Sequence, residues 1–283
     1  MDINRQLQLA QLDLLLELKR ICEKNNINYF LIAGSLIGAV RHQGFIPWDD
    51  DIDVAMFRDD YERFAQVCPK ELDSAYSLID WNIDKSSPLG FMKLKIKNTK
   101  LIEAISCDSN CNKEIFLDIF PYDEAPAKKS QQIRQNIKIV MLKKILLLRC
   151  DYRLSEEHRG LKKVFNKTLY KLLQLLFLPF KTDKIREMFD KETLKYKGKN
   201  TGYCINYSGV YKYQNEIKDI SYFDEYVKLN FEGYEIPACK EYHKFLTEIY
   251  GDYMQLPPES QRVPRHNIGI DLNGYKIRNK NVK

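Results

Sequence analysis

The sequence predicts an α/β (α+β) protein built on a mixed sheet, and three observations predict it. Residues 3–24 place Leu7, Ala10, Leu14, Leu18 and Ile21 on one face at helical spacing. Short apolar runs of strand length recur at 29–33, 54–57, 91–96 and 115–120. These runs alternate with helical stretches and show no internal repeat, which is the pattern of a layered sheet-and-helix domain.

In order, the first helix ends at Asn25-Asn26 and covers the sheet. A strand over 28–33 feeds the pair Gly34-Ser35, where Ser35 is placed to cap a short helix over 36–40. A strand opens at Asp51-Ile52-Asp53 and runs to Phe57. Asp59-x-x-Glu62 has the form of a capping box for a helix ending near Pro69. Strands follow over 76–83 and 90–96, then over 115–123. Residues 130–149 and 160–180 read as two basic, strongly apolar helices, and 184–197 as a charged one. After the Gly- and Tyr-rich stretch 198–213, a hairpin turns at Glu232-Gly233, and a helix over 241–250 stops at Gly251.

Composition bounds the function. The chain has 283 residues, 44% hydrophobic and 30% charged, as in an ordinary globular protein. A net charge of +6 permits an anionic partner such as a nucleotide or a phospholipid surface, but does not point to nucleic acid. The 7 cysteines form no C-x-x-C pair, so a zinc ribbon is excluded and reduced thiols in a cytoplasmic protein are expected. Residues near the N-terminus lack the pattern of a signal peptide, and no run of about 20 apolar residues predicts a membrane span.

The chemistry concentrates in 34–53. Side chains on a strand alternate faces, so Asp51 and Asp53 point one way and Ile52 the other. Two carboxylates on one face repel, a divalent cation relieves the repulsion, and oxygen-only ligands suit Mg²⁺ or Mn²⁺. Gly34 allows close approach, and a helix starting near Ser35 offers free N–H groups to phosphate. Arg41 is either a phosphate ligand or a cation at a helix end, and His42 either a base or a surface residue. Lys93 and Lys95 share a face, either as guards of an edge strand or as cations for phosphate. Asp118 interrupts an apolar strand, which is costly unless the acid is paired or binds metal, so it is the third carboxylate. Asp123, past Pro121, reads as a turn residue. The Leu-rich run 169–180, flanked by lysines, is either buried or lies at a membrane surface.

The stretch G-S-L-I-G-A-V-R-H-Q-G-F-I-P-W-D-D-D-I-D-V resembles the signature of the LicD family, to which the fukutin-type sugar-phosphate transferases are related. I-F-L-D-I-F-P-Y-D resembles its second motif. Gly251-Asp252-Tyr253 with Leu256-Pro257-Pro258-Glu259, followed by His266, resembles its C-terminal motif. The resemblance implies a nucleotidyltransferase-like core over 1–125, with helical and mixed segments of 126–283 packed on it. It implies metal-dependent transfer of phosphocholine from CDP-choline, or of another phospho-alcohol, to a hydroxyl of a surface-glycan precursor. Asp51, Asp53 and Asp118 would hold the metal, and Asp118 would accept the acceptor's proton. Gly34, Ser35, Arg41, Lys93 or Lys95, with Trp48 and His266, would bind the donor, and Trp48 or Tyr122 would offer a ring to its trimethylammonium group. The acceptor would be lipid-linked and reached from the cytoplasmic face, with 169–180 as a peripheral contact. Two other readings use the same residues: nucleotidyl transfer releasing pyrophosphate, and a catalytically inactive nucleotide- or membrane-binding module.

Overall fold

The computed structural model describes residues 1–152, 181–264 and 267–279. They form α1 (Ile3–Asn25), β1 (Phe30–Leu31), α2 (Ala33–His42), β2 (Asp53–Phe57), α3 (Arg58–Glu71), β3 (Tyr76–Ile79), β4 (Met92–Ile96), β5 (Lys100–Glu103), β6 (Phe116–Ala125) and α4 (Lys129–Arg149). Then come the helix Thr182–Thr193, β7 (Tyr203–Ile205), β8 (Lys218–Asp219), β9 (Tyr226–Phe231), β10 (Tyr234–Cys239), the helix Tyr242–Tyr250 and β11 (Asn267–Asp271). The helix expected over 160–180, its Leu-rich run and His266 lie outside the described residues.

The main sheet is mixed, as expected, in the order β1-β2-β6-β4-β3, with β7 beside the C-terminal half of β6 and β8 beyond it. Strands β2 and β6 run parallel. The other neighbours are antiparallel. Pro121 sits inside β6 between the end of its pairing with β4 at Ile119 and the start of its pairing with β7 at Asp123. Its missing N–H therefore breaks no ladder. So the strand continues past Pro121, and Asp123 is a buried strand residue held by both arms of the Arg58 guanidinium at 2.7 Å, not a turn residue.

Helix α1 lies on the sheet. Leu7, Leu14, Leu15, Leu18 and Ile21 are fully buried in one core with Val54, Met56, Leu94, Leu117 and Ile119. Each such side chain contributes about 2 kcal/mol. The helix is buried beyond its apolar face. Gln8, Gln11 and Asp13 are buried too, because the loop before β2 and the 275–279 segment close over them, and Glu17 is buried where it meets Arg20 and the Asp73 N–H. A second core joins α4 and the Thr182–Thr193 helix to β7 through Ile139, Leu142, Ile185, Phe189 and Ile205.

Several local expectations change. The first strand shrinks to two residues, because Ala33 turns the chain with φ +49° straight into α2. Ser35 is the third residue of α2 and not its cap; residue 32 is the cap and uses no side chain. Asp59 and Glu62 make no capping box; both bind Lys197, at 2.9 and 2.8 Å. Strand β4 is not an edge, since β3 lies outside it, so Lys93 and Lys95 are buried. Tyr122 is buried among Phe30, Phe57 and Phe223, so its ring is a core ring and not one open to a trimethylammonium group. The hairpin β9–β10 forms as expected, with positive φ at Glu232 and Gly233. No helix among the described residues is long and apolar enough to cross a membrane.

Candidate active site

Register builds the site. Asp53 on β2 pairs with Asp118 on β6, which pairs with Lys93 on β4. Adjacent strands are about 4.8 Å apart and paired residues share a face. The result is a charged row across three strands in the sheet interior. Lys93 Nζ lies 3.0 Å from Asp118 Oδ1 and 3.9 Å from Glu103 Oε2, and stands over the Phe116 ring at 3.2 Å. Burial pushes the Asp53 carboxyl well above the ordinary carboxylate range, and the charges of Asp51, Asp118 and Asp49 push the same way. Burial also raises Asp118, to about 7, with Lys93 pulling it down. Lys93 stays above its usual value, because Asp118 and Glu103 outweigh burial. Lys95 points elsewhere, donating to Asn112 O at 2.7 Å and Oδ1 at 2.9 Å, and burial with the Lys93 charge lowers it to about 8.

The loop before β2 adds acids. Asp49, Asp50 and Asp51 each offer an oxygen within 4.8 Å of the others. Asp49 is raised well above its ordinary value by burial and by the charges of Asp51 and Asp50. Gly34 explains how Asp49 fits: a Cβ there would lie 2.7 Å from Asp49 Oδ2. Ser35 Oγ accepts the Asp53 N–H at 2.9 Å, pinning α2 to the first residue of β2. Polar residues of α1 fix the rest. Gln8 donates to Asp49 O at 2.9 Å, and Asn4 to the same oxygen at 3.2 Å. Gln11 donates to Asp50 O at 3.1 Å and Phe116 O at 3.2 Å, tying the loop to β6. Asp50 also accepts the Asn267 N–H at 3.1 Å.

Beside Asp49 opens a cleft of about 510 Å³. Arg41, Trp48, Tyr250, Asp252, Tyr253 and Pro257 line it, so the C-terminal motif forms its wall. Arg41 Nη1 donates to Tyr253 O at 2.7 Å and Gln255 O at 3.4 Å, so this cation props the wall as well as facing the cleft. The Arg262 guanidinium stands 5.7 Å from the Trp48 ring centroid, on the ring assigned to a trimethylammonium group. His42 packs edge-on against Trp48 at 6.2 Å. Tyr211 donates to Tyr250 at 2.8 Å, and both phenols, raised first by burial, also feel the Asp53 charge.

The structure thus brings together Asp51, Asp53, Asp118, Lys93, Gly34 and Ser35, puts Arg41 and Trp48 in the adjoining cleft, and leaves Lys95 out. Sequence reasoning passed over Asp49, Glu103, Tyr211 and Tyr250 as site residues. The three-aspartate run was a signal for Asp49; nothing local marks the other three. The donor set suits a hard divalent cation: every group is a carboxylate oxygen, and two acids, pushed up first by burial, are pushed further by their neighbours' charge, which a cation would offset.

Residues 26–146 match the family model described as LicD/FKTN/FKRP, nucleotidyltransferase domain. The mixed α/β fold fits a transferase built on that domain. The lipopolysaccharide cholinephosphotransferase LicD of Haemophilus influenzae is 32% identical over 278 residues, covering 93% of this chain and 95% of its own. An uncharacterized protein of Rickettsia prowazekii is 32% identical over 125 residues, 43% of this chain and 46% of its own. The ribitol 5-phosphate transferase FKRP of Homo sapiens is 37% identical over 54 residues, 19% of this chain and 11% of its own. The chain belongs to the LicD family and is an enzyme, a transferase of that type.

Proposed function

We propose that the protein transfers a phospho-alcohol, phosphocholine foremost, from a CDP-alcohol to a hydroxyl of a surface-glycan precursor such as lipopolysaccharide. One observation carries the reading: a row of carboxylates opens beside an aromatic-walled cleft of about 510 Å³, room for a nucleotide-sized donor. The full-length similarity to a cholinephosphotransferase supports the choice of alcohol.

Asp49, Asp51, Asp53 and Asp118 would hold Mg²⁺ or Mn²⁺, which when bound neutralises phosphate charge and acts as a Lewis acid. Lys93 fixes the Asp118 carboxylate across the strand pair. Asp118, at about 7, lies in the range where a carboxylate takes up a proton near neutral pH, and in this reading it receives the acceptor's proton. Arg41 and the 250–258 wall orient the donor, so that reacting atoms meet in line. The enzyme would work on the cytoplasmic side of a membrane, on a lipid-linked acceptor.

The test is incubation with CDP-choline, CDP-ethanolamine, CDP-glycerol and CDP-ribitol in Mg²⁺, with CMP as the readout. Release of CMP from CDP-choline above the other donors is expected. Pyrophosphate release from CTP, with no CMP from any CDP-alcohol, would overturn phospho-alcohol transfer in favour of nucleotidyl transfer.

A further inference from the structure

Among the described residues, helix α4 leaves one face unpacked, and that face is apolar. Ile133, Ile137, Val140 and Met141 are 59, 63, 40 and 51% exposed. At 3.6 residues per turn they form a strip about 100° wide along the helix. The opposite side, Gln135, Ile139, Leu142 and Leu146, is buried against the protein. Exposed Lys129 and Arg134 border the strip and exposed Lys144 closes its C-terminal end. Lys138 is also exposed, though it meets Glu192 at 3.4 Å. Lys143 turns inward to the Tyr207 and Gly209 carbonyls. Residues 126–150 hold seven basic side chains and no acidic one, where the whole chain has 39 acids in 283 residues.

We propose that this face of α4 lies on an anionic lipid surface, the strip at headgroup depth and the cations against phosphate. An apolar strip flanked by cations is the pattern of a helix lying in the membrane interface. The charges argue against the other occupants. A symmetric dimer through this strip would set each copy's cations against their own kind, with no acid on the helix to answer them. The core of a protein–protein interface is depleted in lysine, whereas Lys144 lies in line with this strip. The inference deepens the proposed placement at a membrane and rests on that reading only for its purpose, since its test needs neither donor nor acceptor.

The full-length protein is mixed with phosphatidylglycerol–phosphatidylcholine vesicles and with pure phosphatidylcholine vesicles, at low and high salt, and sedimented. Binding to the anionic vesicles, weakened by salt, is expected. Lys129→Glu with Arg134→Glu should weaken it by about thirtyfold or more. Ile137→Ser with Met141→Ser should weaken it by about tenfold while leaving CMP release and thermal unfolding unchanged. Three outcomes would overturn the proposal: no binding to anionic vesicles, binding that the variants leave intact, or a concentration-dependent dimer that Ile137→Ser dissociates. A failure here leaves CMP release standing, and a failure of CMP release leaves vesicle binding standing.

Discussion

Asp53 and Asp118 face each other across the parallel strand pair, but only Asp118 answers the buried Lys93. Their substitutions should therefore separate. Either Asp53→Asn or Asp118→Asn should lower kcat by about 10³-fold or more. Asp53→Asn removes a repulsion, so its Tm should hold or rise. Asp118→Asn leaves Lys93 with Glu103, 3.9 Å away, and the weaker pull of Asp53, so its Tm should fall. Paired turnover and melting measurements check both halves. Gly34 is the other informative residue. Alanine is the better helix former by about 1 kcal/mol, yet its methyl would sit 2.7 Å from Asp49 Oδ2. Gly34→Ala should keep or raise Tm and reduce turnover by about tenfold, through a displaced carboxylate. Unchanged turnover would remove Asp49 from the machinery.

Elements place these residues, and here the reach of sequence reasoning shows. Period two and the cost of burying an acid were enough to single out Asp118 in an apolar strand. The same local rules left Lys93 and Lys95 open between edge-strand guards and cations for phosphate, because whether a strand is an edge depends on β3 folding back outside β4. They misplaced Ser35, since the helix begins three residues early, at Ala33 with φ +49°. The C-terminal motif had no local rationale. Its reason is tertiary: the segment after Gly251 walls the cleft and is held by Arg41 on α2. Arg41→Met keeps the stem and removes the donors, so the wall should loosen. The expected result is a KM for the donor raised about tenfold with kcat nearly held. A fall in kcat at constant KM would instead assign Arg41 to the transferring phosphate.

Over the whole molecule, charge burial is spread beyond the site, and it makes stability depend on pH. Burial raises Glu216 to about 7 despite Lys143 and Lys218 nearby. An acid raised in the folded state holds its proton longer there than in the unfolded chain. Its contribution is intact below the unfolded value of 4.5 and is lost as pH rises toward about 7. Glu216→Gln should melt level with the parent at pH 4. At pH 8 it should be more stable, by up to about 3 kcal/mol. Equal melting curves at both pH values would mean Glu216 is not paying a burial cost. The ties on the acidic loop act at the same scale. Asn4, Gln8 and Gln11 grip it from the first helix, Phe116 joins through Gln11, and Asn267 grips Asp50 from near the other end of the sequence. Ribosomal synthesis delivers those partners in order, from first to last. The aspartates emerge early, but the last clasp on them is made only after residue 267 has left the exit tunnel, so a nascent chain carries its acidic cluster long before it can hold it in its folded geometry.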